Sequence, residues 1–400
     1  MKQIITIIYL LLSITAYAQG GDEAYIHALA SMSKGKYQSA IELFDKEINR
    51  NPNNMKAVYQ RGICHYKLNR FDMAISDFIL VNKRVPARSS LMLAKCEARL
   101  GHEELAIKYL REHLSSKYKI QEKDILLDPD LDRISHLQLW KKLWQEKEWY
   151  TAYERELNEA KYLKSTGNYP DALNLLEKLD ERGVNRSEVN RIKAEIYLEN
   201  NNPEAAEESL NESVRSNRNN SSALKMRIAL DTQNGNYKRA EHDCRRLIQQ
   251  SPQEFSYYLT LADMLAHNDK FAEAQKYAEF YLSLFPESAS GLNILGVIHY
   301  RNKQYLNALK VYNTALESEQ GKSELFFNRG RVYAATDMYE YASRDYAMAL
   351  DLEPTNADIW FEKGISDLER GDEETACFNF KKSLQYGRKD ALDFIHQICK

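Results

Sequence analysis

Ten alanines constrain this chain more than any other feature. Ala40, Ala74, Ala106, Ala172, Ala206, Ala240, Ala274, Ala308, Ala342 and Ala376 are separated by 34, 32 and 66 residues and then by 34 six times over. A fixed period of that length describes an array of small units, each of which buries its apolar face only against its neighbours. The skeleton around each alanine also recurs, as in GNYKRAEHDCRRLIQQSP from Gly235, KQYLNALKVYNTALESEQ from Lys303 and DMYEYASRDYAMALDLEP from Asp337. A small or polar residue precedes an aromatic by two, the alanine follows three later, and a bulky residue usually stands four beyond it.

The physical reading is a helical hairpin in each unit. Two crossing helices approach closely only where side chains are small, and large residues then fill the space around the contact. Proline supports the phase, because inside a helix it removes a hydrogen bond and clashes with the preceding turn. Pro52, Pro86, Pro252, Pro286 and Pro354 fall between one unit and the next, Pro170 and Pro203 fall where a second helix begins, and Pro129 lies in the one gap of the array.

The motif residues resemble the tetratricopeptide repeat family. Counting from that family's pattern, position 8 holds Ala28, Gly62, Ala94, Ala160, Ala194, Ile228, Ala262, Gly296, Gly330 and Gly364, and position 17 holds Tyr37, Phe71, Tyr169, Tyr237, Phe271, Tyr305 and Tyr339. Ile228 departs at position 8, and Glu103, Pro203 and Glu373 depart at position 17. The resemblance covers about residues 21 to 388 and implies an all-α, right-handed solenoid of about ten hairpins with one diverged segment and a C-terminal capping helix. The implied division is a signal segment over 1–18, three repeats over 19–120, the diverged segment over 121–152, seven repeats over 153–388 and the cap over 389–400.

In that family the first helix of each hairpin lines a concave groove, with positions 2, 5, 9 and 12 facing into it. The resemblance therefore implies an N-terminal groove of Tyr25, Tyr59, Ile63 and Tyr66. The middle carries Lys161, Lys164, Arg191 and Lys225 mixed with Glu188 and Glu195, and the C-terminal part carries Tyr300, Phe327, Arg331, Asp358, Phe361 and Ile365. Aromatics and arginine dominate protein interfaces more often than isolated lysine or glutamate, which favours the first and last clusters as partner-binding surfaces. The competing reading is that these aromatics pack on the neighbouring repeat. The family's two-carboxylate clamp is not matched: Asn328 stands at the middle position, but Asn293 and Val297 precede it and Asp358 and Glu362 follow.

The gap, about residues 119 to 152, holds three of the four tryptophans, Trp140, Trp144 and Trp149. Asp128 is expected to cap a helix that begins at Pro129, with Leu131 and Ile134 on one face. Leu139, Trp140, Leu143 and Trp144 follow at helical spacing, which favours a bulky structural wedge over a ligand site. The DPDLD stretch at 128–132 spaces aspartates as a calcium loop does, but the sixth and twelfth positions are Arg133 and Leu139 where such a loop needs Gly and Glu.

The N-terminus predicts export. Lys2, a nearly continuous apolar run from Ile4 to Leu12 and the small-residue site Ala16-Tyr17-Ala18 describe a signal peptide cut before Gln19, with a core well short of the roughly 20 residues a span requires. No later stretch is apolar enough for a stable membrane span. A net charge of −3 supplies no basic field for nucleic acid. The five cysteines lack any CxxC pair; Cys64 and Cys96 read as core thiols, while the pairing of Cys377 with Cys399 stays open. No metal-ligand spacing, nucleophile motif or phosphate loop stands out, so neither catalysis nor a cofactor is expected. The expectation is a scaffold that binds protein or peptide partners in the periplasm or outside the cell. The alternative is a module for cell-wall glycan or lipid-linked ligands.

Overall fold

A computed structural model describes residues 23–146 and 148–399, so the signal segment expected over 1–18 lies outside the described residues. Among those residues the regular structure is helical, without a strand. Two compact units divide at Asn185 and Arg186, inside the array expected over 153–388.

The first unit stacks α1 (residues 23–33), α2 (Tyr37–Arg50), α3 (Met55–Lys67), α4 (Phe71–Arg84), α5 (Ser90–Leu100) and α6 (Glu103–Leu114). The short helices α7 (Glu122–Leu126), α8 (Asp132–Ser135) and α9 (Gln138–Gln145) come next, then the hairpin of α10 (Ala152–Ser165) and α11 (Tyr169–Glu181). The second unit runs through α12 (Arg186–Glu199), α13 (Pro203–Ser216), α14 (Ser221–Gln233), α15 (Tyr237–Gln250), α16 (Ser256–His267) and α17 (Phe271–Leu284). It continues with α18 (Ala289–Arg301), α19 (Tyr305–Ser318), α20 (Ser323–Ala334), α21 (Tyr339–Leu352), α22 (Ala357–Glu369), α23 (Glu373–Gln385) and the terminal α24 (Ala391–Ile398).

Four of the hairpins close on the same contact, between position 8 of the first helix and position 24 of the second. A β-carbon added to Gly62, Gly296, Gly330 or Gly364 would stand 2.7, 2.5, 2.6 or 2.8 Å from the ring of Phe78, Tyr312, Tyr346 or Phe380 respectively. These four rings are almost fully buried, so the glycines hold open the space that they fill. Where position 8 is alanine the partner is often leucine, as in Ala94 with Leu110 and Ala194 with Leu210. Ile228, the departure from the repeat pattern, belongs to one core cluster with Cys244 at position 24. The large and small residues have exchanged helices, and the volume at the crossing is conserved.

A second recurring contact ties three of the hairpins to the helix before each. Arg61 donates from Nε and a terminal nitrogen to both oxygens of Asp77 at 2.9 and 2.6 Å, and from its other nitrogen to Asp45 at 2.7 Å. Arg227 repeats this with Asp243 at 2.7 and 3.0 Å and Asn211 at 3.0 Å; Arg329 repeats it with Asp345 at 2.7 and 2.7 Å and Asn313 at 2.7 Å. Asp243 is fully buried, and bidentate pairing is what makes such a charge tolerable there.

The tryptophans of the diverged segment pack into the core, as their spacing suggests. Ile125, Leu131, Ile134, Trp140, Leu143 and Trp149 join one core with Ala94 and Ala98 of α5 and Ala106, Ile107 and Leu110 of α6. Trp149 donates from its indole nitrogen to the Leu143 carbonyl at 3.0 Å. One expectation is corrected: no helix starts at Pro129, and α8 begins at Asp132. The Asp128 side chain accepts from the Asp130 amide at 3.0 Å and pairs with Lys95, so tertiary ion pairing displaces the expected cap.

At the C-terminus α24 packs on the last hairpin, where Phe394, Ile395 and Ile398 rest against Phe361 and Phe380. Cys377 and Cys399 form a disulfide that fastens this cap to α23, while Cys64, Cys96 and Cys244 are buried free thiols. Burial pushes the Cys64 thiol up to about 12, which keeps it inert.

Candidate functional site: two inner faces

In the second unit α16 packs on α18, α18 on α20 and α20 on α22, so the first helices of successive hairpins make the inner row. The groove-facing positions of the repeat therefore fall on this row, and on α3 and α5 in the first unit.

The inner face of the first unit is already engaged by the chain itself. Tyr66 donates its hydroxyl to Asp130, Arg99 donates to the same carboxylate at 2.7 Å, and Lys95 pairs with Asp128. Burial would raise the Asp130 carboxyl, but the bonds from Tyr66 and Arg99 outweigh it and hold that group below its ordinary range. Tyr66 shifts upward from burial and from its bond to Asp130. Nearby, the Arg88 guanidinium lies 5.7 Å from the Tyr59 ring and 5.0 Å from the Tyr118 ring. Tyr59 also packs 5.5 Å from Phe78, and Ile63 is half-buried in the same core. Tyr25 packs 5.8 Å from Phe44, and burial with the nearby Glu47 pushes its hydroxyl up to about 12.

In the middle of the array the mixed charges pair among themselves. Arg191 donates to Glu188 at 2.8 Å and also binds Glu195, and Lys225 meets Glu254 at 2.7 Å beside the Tyr257 ring.

The inner face of the second unit is different. The Arg331 guanidinium lies 4.9 Å from the Tyr300 ring and 5.8 Å from the Phe327 ring, and among the described residues it makes no hydrogen bond or ion pair to a carboxylate or carbonyl. Phe327 backs onto Tyr346 at 5.8 Å and Tyr300 onto Tyr305 at 6.0 Å, which fixes both rings. Beside Arg331, Asn328 donates to Asn293 at 3.0 Å and Asn293 to Glu324 at 2.7 Å. Burial raises the half-buried Glu362 carboxyl, opposed by Arg331 and Arg388. Asp358 is exposed and accepts from Arg388 at 3.0 Å, so its charge is balanced locally. A guanidinium beside two aromatic rings presents a planar fork of donors, which suits a planar acceptor such as a carboxylate or a pair of peptide carbonyls.

Phe361 is corrected. It does not line the groove as expected: it is 7% exposed, 5.4 Å from Phe380 and 5.3 Å from Phe394, with the Arg388 guanidinium 3.6 Å from its ring. The terminal helix covers the position that an internal repeat leaves open. Arg388 is the residue at Phe361 and Asp358 that sequence reasoning missed, because it stands in the connection after the last repeat and belongs to no repeat position.

Comparison with known proteins agrees with this architecture. Residues 259–324 match the family model for the tetratricopeptide repeat, residues 8–78 the one for anaphase-promoting complex, cyclosome, subunit 3, and residues 157–278 the one for ChAPs (Chs5p-Arf1p-binding proteins). The solved tetratricopeptide repeat protein from Parabacteroides merdae superposes with a TM-score of 0.54 at 15% identity, over 62% of this chain and 99% of that one. Residues 259–324 thus match the tetratricopeptide repeat, and the chain has the fold of such an array, a solenoid of helical hairpins. Among curated relatives, anaphase-promoting complex subunit 3 of Schizosaccharomyces pombe is 22% identical over 183 residues, which is 41% of this chain and 28% of that protein. Mouse protein O-mannosyl-transferase TMTC1 is 25% identical over 138 residues, 34% of this chain and 15% of that one. The chain thus spans well under a third of the length of these two relatives, and the similarity concerns their repeats.

Proposed function

We propose that this protein is a non-enzymatic scaffold of the cell envelope that captures a protein or peptide partner on the inner face of its second unit, around Arg331. One observation carries the reading. Arg331 lies within 5.8 Å of the Tyr300 and Phe327 rings without a hydrogen bond or ion pair to any described residue, at a groove-facing repeat position, which suits an interface anchor. Tetratricopeptide arrays are in general protein-interaction scaffolds, and the relatives found include a subunit of a multiprotein complex. Location in the envelope is supported by the signal pattern that ends at Ala18 and by the Cys377–Cys399 disulfide, a bond that persists in oxidising compartments.

The test is capture of envelope proteins by purified chain carrying Arg331→Ala with Phe327→Ala, beside a thermal melt and mass measurement of native material. Truncating such anchors removes about 2 kcal/mol of binding, roughly 30-fold in affinity, while the hairpins stay folded. Native chain is expected to begin at Gln19. Undiminished capture by the double variant, or retention on purified cell wall with no protein partner, would overturn the reading.

A further inference from the structure

The contacts of the Asp128-Pro129-Asp130 turn are more than local packing. It lies outside the repeats, yet its two carboxylates reach the inner positions of two successive hairpins: Tyr66, position 12 of α3, and Lys95, position 9 of α5, with Arg99 alongside. The side chains of Asp128, Asp130 and Lys95 are only 10%, 20% and 18% exposed, so these charges are drawn out of water into a matched set of donors. Arg99 is held in turn 5.2 Å from the Phe71 ring. Pro129 stiffens the turn, and the Asp130 amide bonds back to Asp128 at 3.0 Å. Buried Ile125 on one side and Leu131 and Ile134 on the other anchor it in the core of α5 and α6. Upstream, Tyr118 with Arg88 covers Tyr59, position 5 of α3.

We infer that the Tyr66–Lys95–Arg99 surface is a receptor for an Asp-x-Asp pair of carboxylates, that Asp128 and Asp130 occupy it in cis, and that residues 118–134 form a strap closing the inner face of the first unit to partners. The chemistry this surface selects is an acidic, turn-forming peptide, and the chain supplies its own. The inference is independent of whether the second unit captures a protein, because it concerns a site that is already filled.

Hydrogen exchange on the full chain tests it. Asp128→Asn with Asp130→Asn keeps shape and removes both charges. Exchange over residues 127–136 is expected to rise about 10-fold or more, while protection of α3 to α6 stays within about 2-fold, as for a local opening. A labelled peptide copying residues 124–134, DILLDPDLDRI, is expected to bind this variant saturably at roughly millimolar concentration or below, against a weakened tethered competitor, and not to bind wild type. Lys95→Met with Arg99→Met, which alters the receptor instead, is expected to release the strap in the same way but to bind no peptide. It also decides the matter should the asparagine variant fail to fold. Strap exchange unchanged in these variants would overturn the inference, as would peptide binding to wild type. So would loss of protection in α3 to α6 together with the strap, since the turn would then be framework rather than a cover.

Discussion

Position 9 of the first helix carries a base in both units, Lys95 in α5 and Arg331 in α20, and the two bases have opposite surroundings. Lys95 pairs with Asp128 beneath a strap of the chain's own residues, whereas Arg331 lies against Tyr300 and Phe327 with no acceptor among the described residues. The framework recurs in both units: Gly62 under Phe78 and Arg61 on Asp77 in the hairpin that carries Tyr66, Gly330 under Tyr346 and Arg329 on Asp345 in the hairpin that carries Arg331. One repeat scaffold therefore supports a closed face and an open one, and what separates them is an insertion outside the repeat period.

If the framework is shared, damage to it must look alike in both units. The largest effect is expected from Arg61→Met and Arg227→Met, which leave Asp77 and Asp243, 5% and 0% exposed, without their bidentate partner. Stranding a buried charge costs about 3 to 5 kcal/mol. Urea or thermal melts that drop for only one of the two would break the equivalence. Next come Gly62→Ala and Gly330→Ala, whose new methyl would stand 2.7 and 2.6 Å from a buried ring that cannot leave. Overpacking of this kind costs roughly 1 to 3 kcal/mol, and unchanged melts would mean that the position 8 contact is looser than described.

The smallest effect separates the faces and depends on pH. The folded Asp130 carboxyl is held below its ordinary value of 3.8, so its contribution is present above that value and is lost as pH falls through the lower folded value. Tyr66 and Arg99 bind that carboxylate directly, both shifted upward and so away from that range, and Lys95 adds its charge nearby. Exchange over residues 127–136 is expected to quicken on acidification in wild type, and that acid response is expected to shrink in Asp130→Asn. An identical acid response in both would show that Asp130 does not hold the strap.

Much of this was legible in the sequence because it repeats. The 34-residue spacing of the alanines specifies the hairpins, and the interval of 16 residues between Arg61 and Asp77, Arg227 and Asp243, and Arg329 and Asp345 also stands in the sequence, where a search for that interval reveals the second periodic contact. The exchange of Ile228 with Cys244 reads as a departure only until position 24 is compared with position 8. The faces were harder to read because non-repeating residues decide them. Asp130 meets Tyr66 across 64 residues and Arg99 across 31, with no periodicity to announce either contact. Phe361 occupies a groove position by count, but α24 and Arg388 cover it because it belongs to the last repeat.

On the proposed reading the second unit is open to partners while the first is closed by the chain itself. The most direct measurement places a photo-crosslinking residue at position 331 in one copy of the protein and at position 66 in another, irradiates living cells and identifies the products by mass spectrometry. Position 331 is expected to yield adducts with another polypeptide and position 66 chiefly an internal link to residues 128–130. Adducts with other proteins from position 66, with none from position 331, would contradict that reading.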